Sequence, residues 1–226
     1  MDPEDPHSTG LEVPELVGDG FRLRAVRDDD APRIHQGTAE PATERWLGHK
    51  PAPYTLEHAE AYVERRRDLL ATGECVTWAI ADPEDDRLLG TVLWFNHLPE
   101  VECEIGWWLH PEGRGRGLAT KGTRLVVGHV FDTMGVARVT ALVAVGNTAS
   151  RRVAEAVGFR QYAVEPDGAQ VRDGWTDLAR YELTAAEWAA AERAAAERAE
   201  RSAQNASTST ANPASDSTAP ITNGER

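Results

Sequence analysis

Residues 101–145 join two strand-like runs through a glycine-rich loop and a helix, and this order constrains the fold more than any other stretch of the chain. VECEIGWWLH (101–110) alternates as a strand does, and GRGRGLATKG (113–122) follows it. Leu118 to Met134 reads as a helix stopped by Gly135, and RVTALVAV (138–145) as a β-branched strand of buried type. Upstream, CVTWAIAD (75–82) and LLGTVLWFNH (88–97) connect to each other and to 101–110 by short links, the pattern of an antiparallel meander. The expected fold is α/β, with a strand–helix–strand crossover at its centre.

The flanking segments extend this plan. GFRLRAV (20–26) alternates as a strand, DDDAPRIHQ offers acidic caps for a short helix, and TLEHAEAYVERRRDLLATG (55–73) carries a helical stripe capped by Thr55 and ended by Gly73. Ser150 to Val157 reads as a helix stopped by Gly158, and FRQYAVE (159–165) and DLARYEL (177–183) as the last strands. The expected domain spans 15–188. Before it, 1–14 is an acidic, proline-containing tail expected to be disordered; after it, 189–201 is an Ala/Glu/Arg-rich helical extension, and 202–226 is a polar tail also expected to be disordered.

A formal net charge of -13 argues against nucleic acid as a partner, because phosphates repel such a surface. No run approaches the roughly 20 apolar residues of a membrane helix, and the N-terminus lacks the pattern of a signal peptide, so no membrane partner and a cytoplasmic location are expected. Cys75, Cys103 and the histidines show no ligand spacing, so no metal is expected.

Within the loop, Gly113, Gly115 and Gly117 let a backbone approach an anion closely, and the helix start at Leu118 supplies unpartnered N–H groups and the positive end of a dipole. Between Glu112 and Asp132 there is no acid, while Arg114, Arg116, Lys121 and Arg124 are basic. A phosphate loop of G-x-x-x-x-G-K-[ST] form fails, since GLATKGT sets the lysine one place early. The dinucleotide fingerprint matches only in part, because Thr120 stands at its last glycine and the next strand closes VAVGN without an acid.

Arg114-x-x-Gly117-x-Ala119 after WWLHPE, with NTASRRVAEAVGF (147–159) beyond the next helix and strand, resembles the GNAT family of acyl-CoA-dependent N-acetyltransferases, and most the RimJ/RimL type that acetylates protein N-termini. The resemblance covers nearly all of 20–188 and implies a mixed, mostly antiparallel sheet of six to seven strands, splayed at its centre, with helices on both faces. It implies that acetyl-CoA is the cosubstrate. Its pyrophosphate would lie on Arg114, Gly115, Arg116, Gly117, Leu118, Ala119 and Thr120, and its pantetheine along Trp107, Trp108 and Leu109. The N–H of Leu109 is then placed to polarise the thioester carbonyl. Asn147 corresponds to a pantetheine-bonding residue, with a helix cap as its competing role, and Arg151 to a phosphate neighbour.

Where many members carry a tyrosine acid this chain has Ala154, so Ser150 is the candidate acid or thiolate donor, against a plain role at the helix start. Leu142 stands where some members carry a glutamate base. Strand alternation puts Glu102, Glu104 and Trp108 on one face, and Glu104 is the candidate base, with a structural role or substrate contact as the alternative. Trp46 and Tyr54 correspond to the substrate-side region, where they line an acceptor pocket or simply pack. The expected reaction is acetyl transfer to a primary amine, a protein N-terminus first and a small amine such as an aminoglycoside or polyamine second, by a monomer or homodimer. A non-catalytic acyl-CoA-binding module is the competing class.

Overall fold

In the computed structural model, residues 11–209 are described, and the expectations for 1–10 and 210–226 lie outside them. Residues 11–185 belong to one compact unit. Its strands are β1 (Leu16–Gly18), β2 (Phe21–Ala25), β3 (Cys75–Ala81), β4 (Leu88–Leu98), β5 (Glu102–Leu109), β6 (Arg138–Ala144), β7 (Arg160–Val171) and β8 (Gly174–Thr184), and its helices α1 (Ala31–Thr38), α2 (Pro41–Glu44), α3 (Leu56–Ala71), α4 (Leu118–Met134) and α5 (Thr148–Val157). Helix α6 (Ala185–Ser209) follows as a separate unit.

The strands make one sheet in the order β1-β2-β3-β4-β5-β6-β8-β7. Every neighbouring pair is antiparallel except β5 and β6. Eight strands replace the six to seven expected, the addition being β1, whose three residues are too few to show a period. The last two strands are also longer than the alternation of 159–165 and 177–183 suggests.

Alternation along β3 explains why helices cover both faces. Ala79 packs with Ala31 and Ile34 of α1 and Ala59 and Val63 of α3. The next residue, Ile80, points the other way, toward Gly122 of α4, and Trp78 meets His129 of α4 edge-on at 5.7 Å. Helix α3 begins where expected: the Thr55 hydroxyl accepts from the His58 N–H, and the Thr55 N–H donates to His58 Nδ1. Helix α4 ends at Gly135, whose φ of 64° suits a glycine stop.

Two expected tail boundaries shift. The Pro14 carbonyl accepts from the indole N–H of buried Trp78 at 2.8 Å, tying residues next to β1 to the core. At the other end α6 runs past Arg201 to Ser209, because its Ala, Glu and Arg content sustains a helix into the polar run. Among the described residues no helix is long and apolar enough to cross a membrane.

At Gly122 there is room for a methyl group between α4 and the sheet but little more, since an added Cβ would lie at contact distance, 3.4 Å from Ile80 and 3.5 Å from Val92. Gly122→Ala should leave the denaturant midpoint unchanged or raise it, by up to ~1 kcal/mol from helix propensity. Gly122→Leu should lower stability by about 1–3 kcal/mol through overpacking.

Candidate active site

The sheet opens at its centre. β5 and β6 pair in parallel only at Glu102–Arg138, Cys103–Val139 and Glu104–Thr140, and from Ile105 onward the strands part. The β4 side of β5 stays paired as far as Gly90–Leu109, and the His110 N–H donates to Leu89 C=O at 3.0 Å. Because N–H groups alternate along a strand, those of Leu109 and Trp107 point away from β4 into the opening. Trp107, Trp108 and Leu109 line a cleft of about 400 Å³ there, together with Arg114, Asn147 and Ser150. Leu142 lines the root of the opening, and Ala154, within α5, is fully buried.

The glycine-rich loop closes one end of the cleft. Its three glycines do different work. A Cβ on Gly113 would lie 2.6 Å from the Leu89 carbonyl oxygen, so this glycine lets the loop pack on β4. Gly115 and Gly117 have φ of 75° and 72°, and a Cβ on either would meet nothing within 4 Å. Among the described residues, the N–H groups of Gly115 through Thr120 find no backbone acceptor, and the first donation belongs to Lys121, to Gly117 C=O at 3.0 Å. A run of bare N–H groups at a helix start is an anion site.

The basic side chains of this stretch are engaged elsewhere. Arg114 donates to Glu40 Oε2 at 2.9 Å and Thr43 Oγ1 at 2.7 Å, Arg116 lies 3.5 Å from Asp82, and Lys121 lies 2.8 Å from Asp19. Arg124 reaches the Val157 carbonyl at 3.4 Å. The loop's attraction for an anion therefore rests on backbone groups rather than on the charge cluster the sequence displays. Buried His110 anchors the loop's start: its Nδ1 accepts from the Glu112 N–H at 3.2 Å and from Arg33 at 3.1 Å, leaving Nε2–H to donate to Gln36 Oε1 at 3.2 Å. Burial and the Arg33 charge push His110 below its ordinary pKa, as this neutral tautomer requires.

Asn147 caps α5, its Oδ1 accepting from the Ser150 N–H at 3.2 Å, and it also lines the cleft. Ser150 lines the cleft on the same turn. Arg151 is not brought there: its Nε donates to the Tyr181 hydroxyl at 3.0 Å and its Nη2 to Gln161 at 3.3 Å, on the β7–β8 side. Glu104 sits at the last paired step of β5, where the opening begins. Asn96 donates to its Oε2 at 3.1 Å, and burial, against that bond, raises its pKa above the ordinary carboxylate value.

A second cavity, of about 510 Å³, lies on the α3 face and meets the first at Leu47, Trp107 and Trp108. Tyr54 both packs in the core and lines this cavity, whereas Trp46 lines the cleft and lies 3.2 Å from the Cβ position of Gly146. The intervening loop is held by the turn of the β7–β8 hairpin. The Arg172 N–H donates to Arg45 C=O at 2.9 Å, and its guanidinium donates to the Lys50 and Leu47 carbonyls at 3.2 and 3.3 Å. Sequence reasoning missed this clamp and the cavity cations Lys50 and Arg66, because neither pairs with a motif and the contacts span more than a hundred residues.

Residues 21–160 match the Acetyltransferase (GNAT) domain. The chain belongs to the GNAT acetyltransferase family. Among its relatives, the Putative ribosomal N-acetyltransferase YdaF of Bacillus subtilis (strain 168) is 36% identical over 106 residues, 46% of this chain and 57% of that protein. The chain thus spans little more than half of that relative. The Probable N-acetyltransferase YjcK of the same organism is 29% identical over 126 residues, 55% of this chain and 70% of that protein. The fold of Mycobacterium smegmatis RimJ, solved in complex with CoA-disulfide, superposes with a TM-score of 0.64 at 23% identity, covering 76% of this chain and 90% of that one. The match over residues 21–160 carries the family assignment, and the superposition shows the same fold. GNAT acetyltransferases use acetyl-CoA, and the bare N–H run and the open edge of β5 fit a pyrophosphate and a peptide-like pantetheine arm.

Gly117→Trp places an indole over the N–H run and should weaken CoA binding at least about tenfold in calorimetry, well beyond the ~1 kcal/mol of backbone strain. For His110 the folded pKa lies below the unfolded value of about 6.5, so its contribution is full above that value and is lost as pH falls through the folded one. The denaturation midpoint should drop as pH falls below the unfolded value, and His110→Gln should flatten part of that slope.

Proposed function

We propose that the chain transfers an acetyl group from acetyl-CoA directly to a primary amine, with a protein N-terminal α-amine as the favoured acceptor, in the cytoplasm. The observation that carries this reading is the end of β5–β6 pairing at Glu104, which leaves a bare phosphate loop on one side of the opening and a separate cavity on the other, meeting at Trp107 and Trp108. Acetyl-CoA supplies an acyl group already activated as a thioester. The N–H groups of Gly115 to Thr120 bind its pyrophosphate, and the edge of β5 at Trp107 and Leu109, with Asn147 opposite, orients its arm.

Leu109 N–H then donates to the carbonyl oxygen as negative charge grows there. Glu104 takes the proton from the attacking amine, directly or through water, as the C–N bond forms. Ser150 donates a hydrogen bond to the sulfur as the C–S bond breaks. The likeness to a putative ribosomal N-acetyltransferase supports the protein N-terminus as acceptor.

A raised carboxylate pKa suits a base, which acts only when ionised. The kcat/KM of the wild type should therefore fall on the acid side with an apparent pKa above the ordinary value of about 4.3. Glu104→Gln should lower kcat by about 10²-fold or more and remove that break, leaving the titration of the amine itself. Ser150→Ala should lower kcat by about tenfold without changing CoA affinity. Wild-type turnover in both variants would leave these two roles without support. Tight CoA binding with no thiol release across peptides and amines would favour a binding module instead.

A further inference from the structure

The cavity on the α3 face is lined by two cations that no acid answers. The Lys50 ammonium lies 5.0 Å from the Tyr62 ring centroid, and the Arg66 guanidinium 4.8 Å from the same centroid. Among the described residues neither takes part in an ion pair, although arginines elsewhere on this chain are paired repeatedly. Arg66 Nε is buried without a hydrogen-bond partner, and its Nη1 reaches only the Cys75 sulfur at 3.6 Å. Glu74 is the one acid among the lining residues; it is exposed and already accepts from the Thr72 hydroxyl at 2.8 Å. Two cations on one cavity wall, one of them with an unsatisfied buried donor, are costly to hold unless an anion joins them.

Building on the acyl-transfer reading, we propose that this cavity selects acceptors carrying a carboxylate close to the reactive amine, with Lys50 and Arg66 as its receptors. The cavity reaches the reaction end of the cleft at Leu47, Trp107 and Trp108, and about 510 Å³ is within the range of sites for small ligands. Burial and the Arg66 charge push Lys50 below its ordinary pKa, a strain that a bound carboxylate relieves. Both cations contact the Tyr62 ring, and all three residues line the cavity. The carboxylate belongs either to an Asp or Glu side chain near a protein N-terminus or to a free amino acid.

The test uses the full chain with acetyl-CoA and follows thiol release. C-terminally amidated peptides beginning Ala-Asp or Ala-Glu are compared with Ala-Asn and Ala-Gln, and free alanine and leucine with alaninamide and leucinamide. The acid of a matched pair should have a kcat/KM at least about tenfold higher, as charge-assisted bonds to two cations imply. Lys50→Gln and Arg66→Gln should each bring that ratio toward one. Preference within the peptide set identifies a protein terminus as the source, and preference only among free amino acids identifies a metabolite. Equal rates for acid and amide would overturn the carboxylate proposal while leaving acyl transfer standing. Calorimetry with N-acetyl-Ala-Asp-amide and N-acetyl-Ala-Asn-amide decides the matter independently of turnover: tighter binding of the Asp form, lost in Arg66→Gln, supports the proposal, and equal binding overturns it.

Discussion

The early end of pairing between β5 and β6 is the constraint on which the rest of the site depends. Three residue pairs hold the strands together, after which β5 keeps its neighbour β4 and β6 keeps β8. The inner edges beyond Glu104 and Thr140 are thereby left as strand backbone without a strand partner. Such groups are expensive to bury unsatisfied, so a partner of extended, amide-bearing chemistry is what the opening accommodates. The GNAT family's acyl donor has that chemistry, which links the fold to the reaction through backbone geometry rather than through any one side chain.

The same economy governs the loop. Its arginines and lysine look in sequence like an anion-binding cluster, yet Glu40, Asp82 and Asp19 each take one of them. Their contribution is structural: Arg114 joins the loop to α2, and Lys121 joins the first turn of α4 to the β1–β2 turn. The field at the loop comes instead from aligned N–H groups, exposed because Gly115 and Gly117 adopt left-handed conformations with open space above them. His110 beneath the loop, neutral and bonded on both nitrogens, holds its first turn against β5.

The central crossover was legible because local signals agreed there: the alternation of 101–110, the stop at Gly135 and the β-branched run 138–145 all describe elements that the chain forms. The cap at Asn147 was legible from its place before the helix. β1 and α2 were not, since three or four residues carry no period, and the reach of the β7–β8 hairpin was hidden by weak alternation past Glu165. Arg151 matches the family motif in sequence but turns to Tyr181, a partner thirty residues away that no local pattern announces. The cavity cations were illegible for the same reason. Lys50 and Arg66 come from a loop and a helix, and only their shared ring at Tyr62 brings them into one site.

Backbone amide hydrogen exchange with and without CoA tests the central claim most directly, because it reads the N–H groups themselves. Trp107, Leu109 and Gly115 to Thr120 should exchange rapidly in the free protein and become protected when CoA binds, while amides already bonded between β3 and β4 stay unchanged. CoA binding that leaves those amides unprotected, or that protects the β7–β8 hairpin instead, would contradict the assignment of the opened strand edge and its loop as the acyl-donor site.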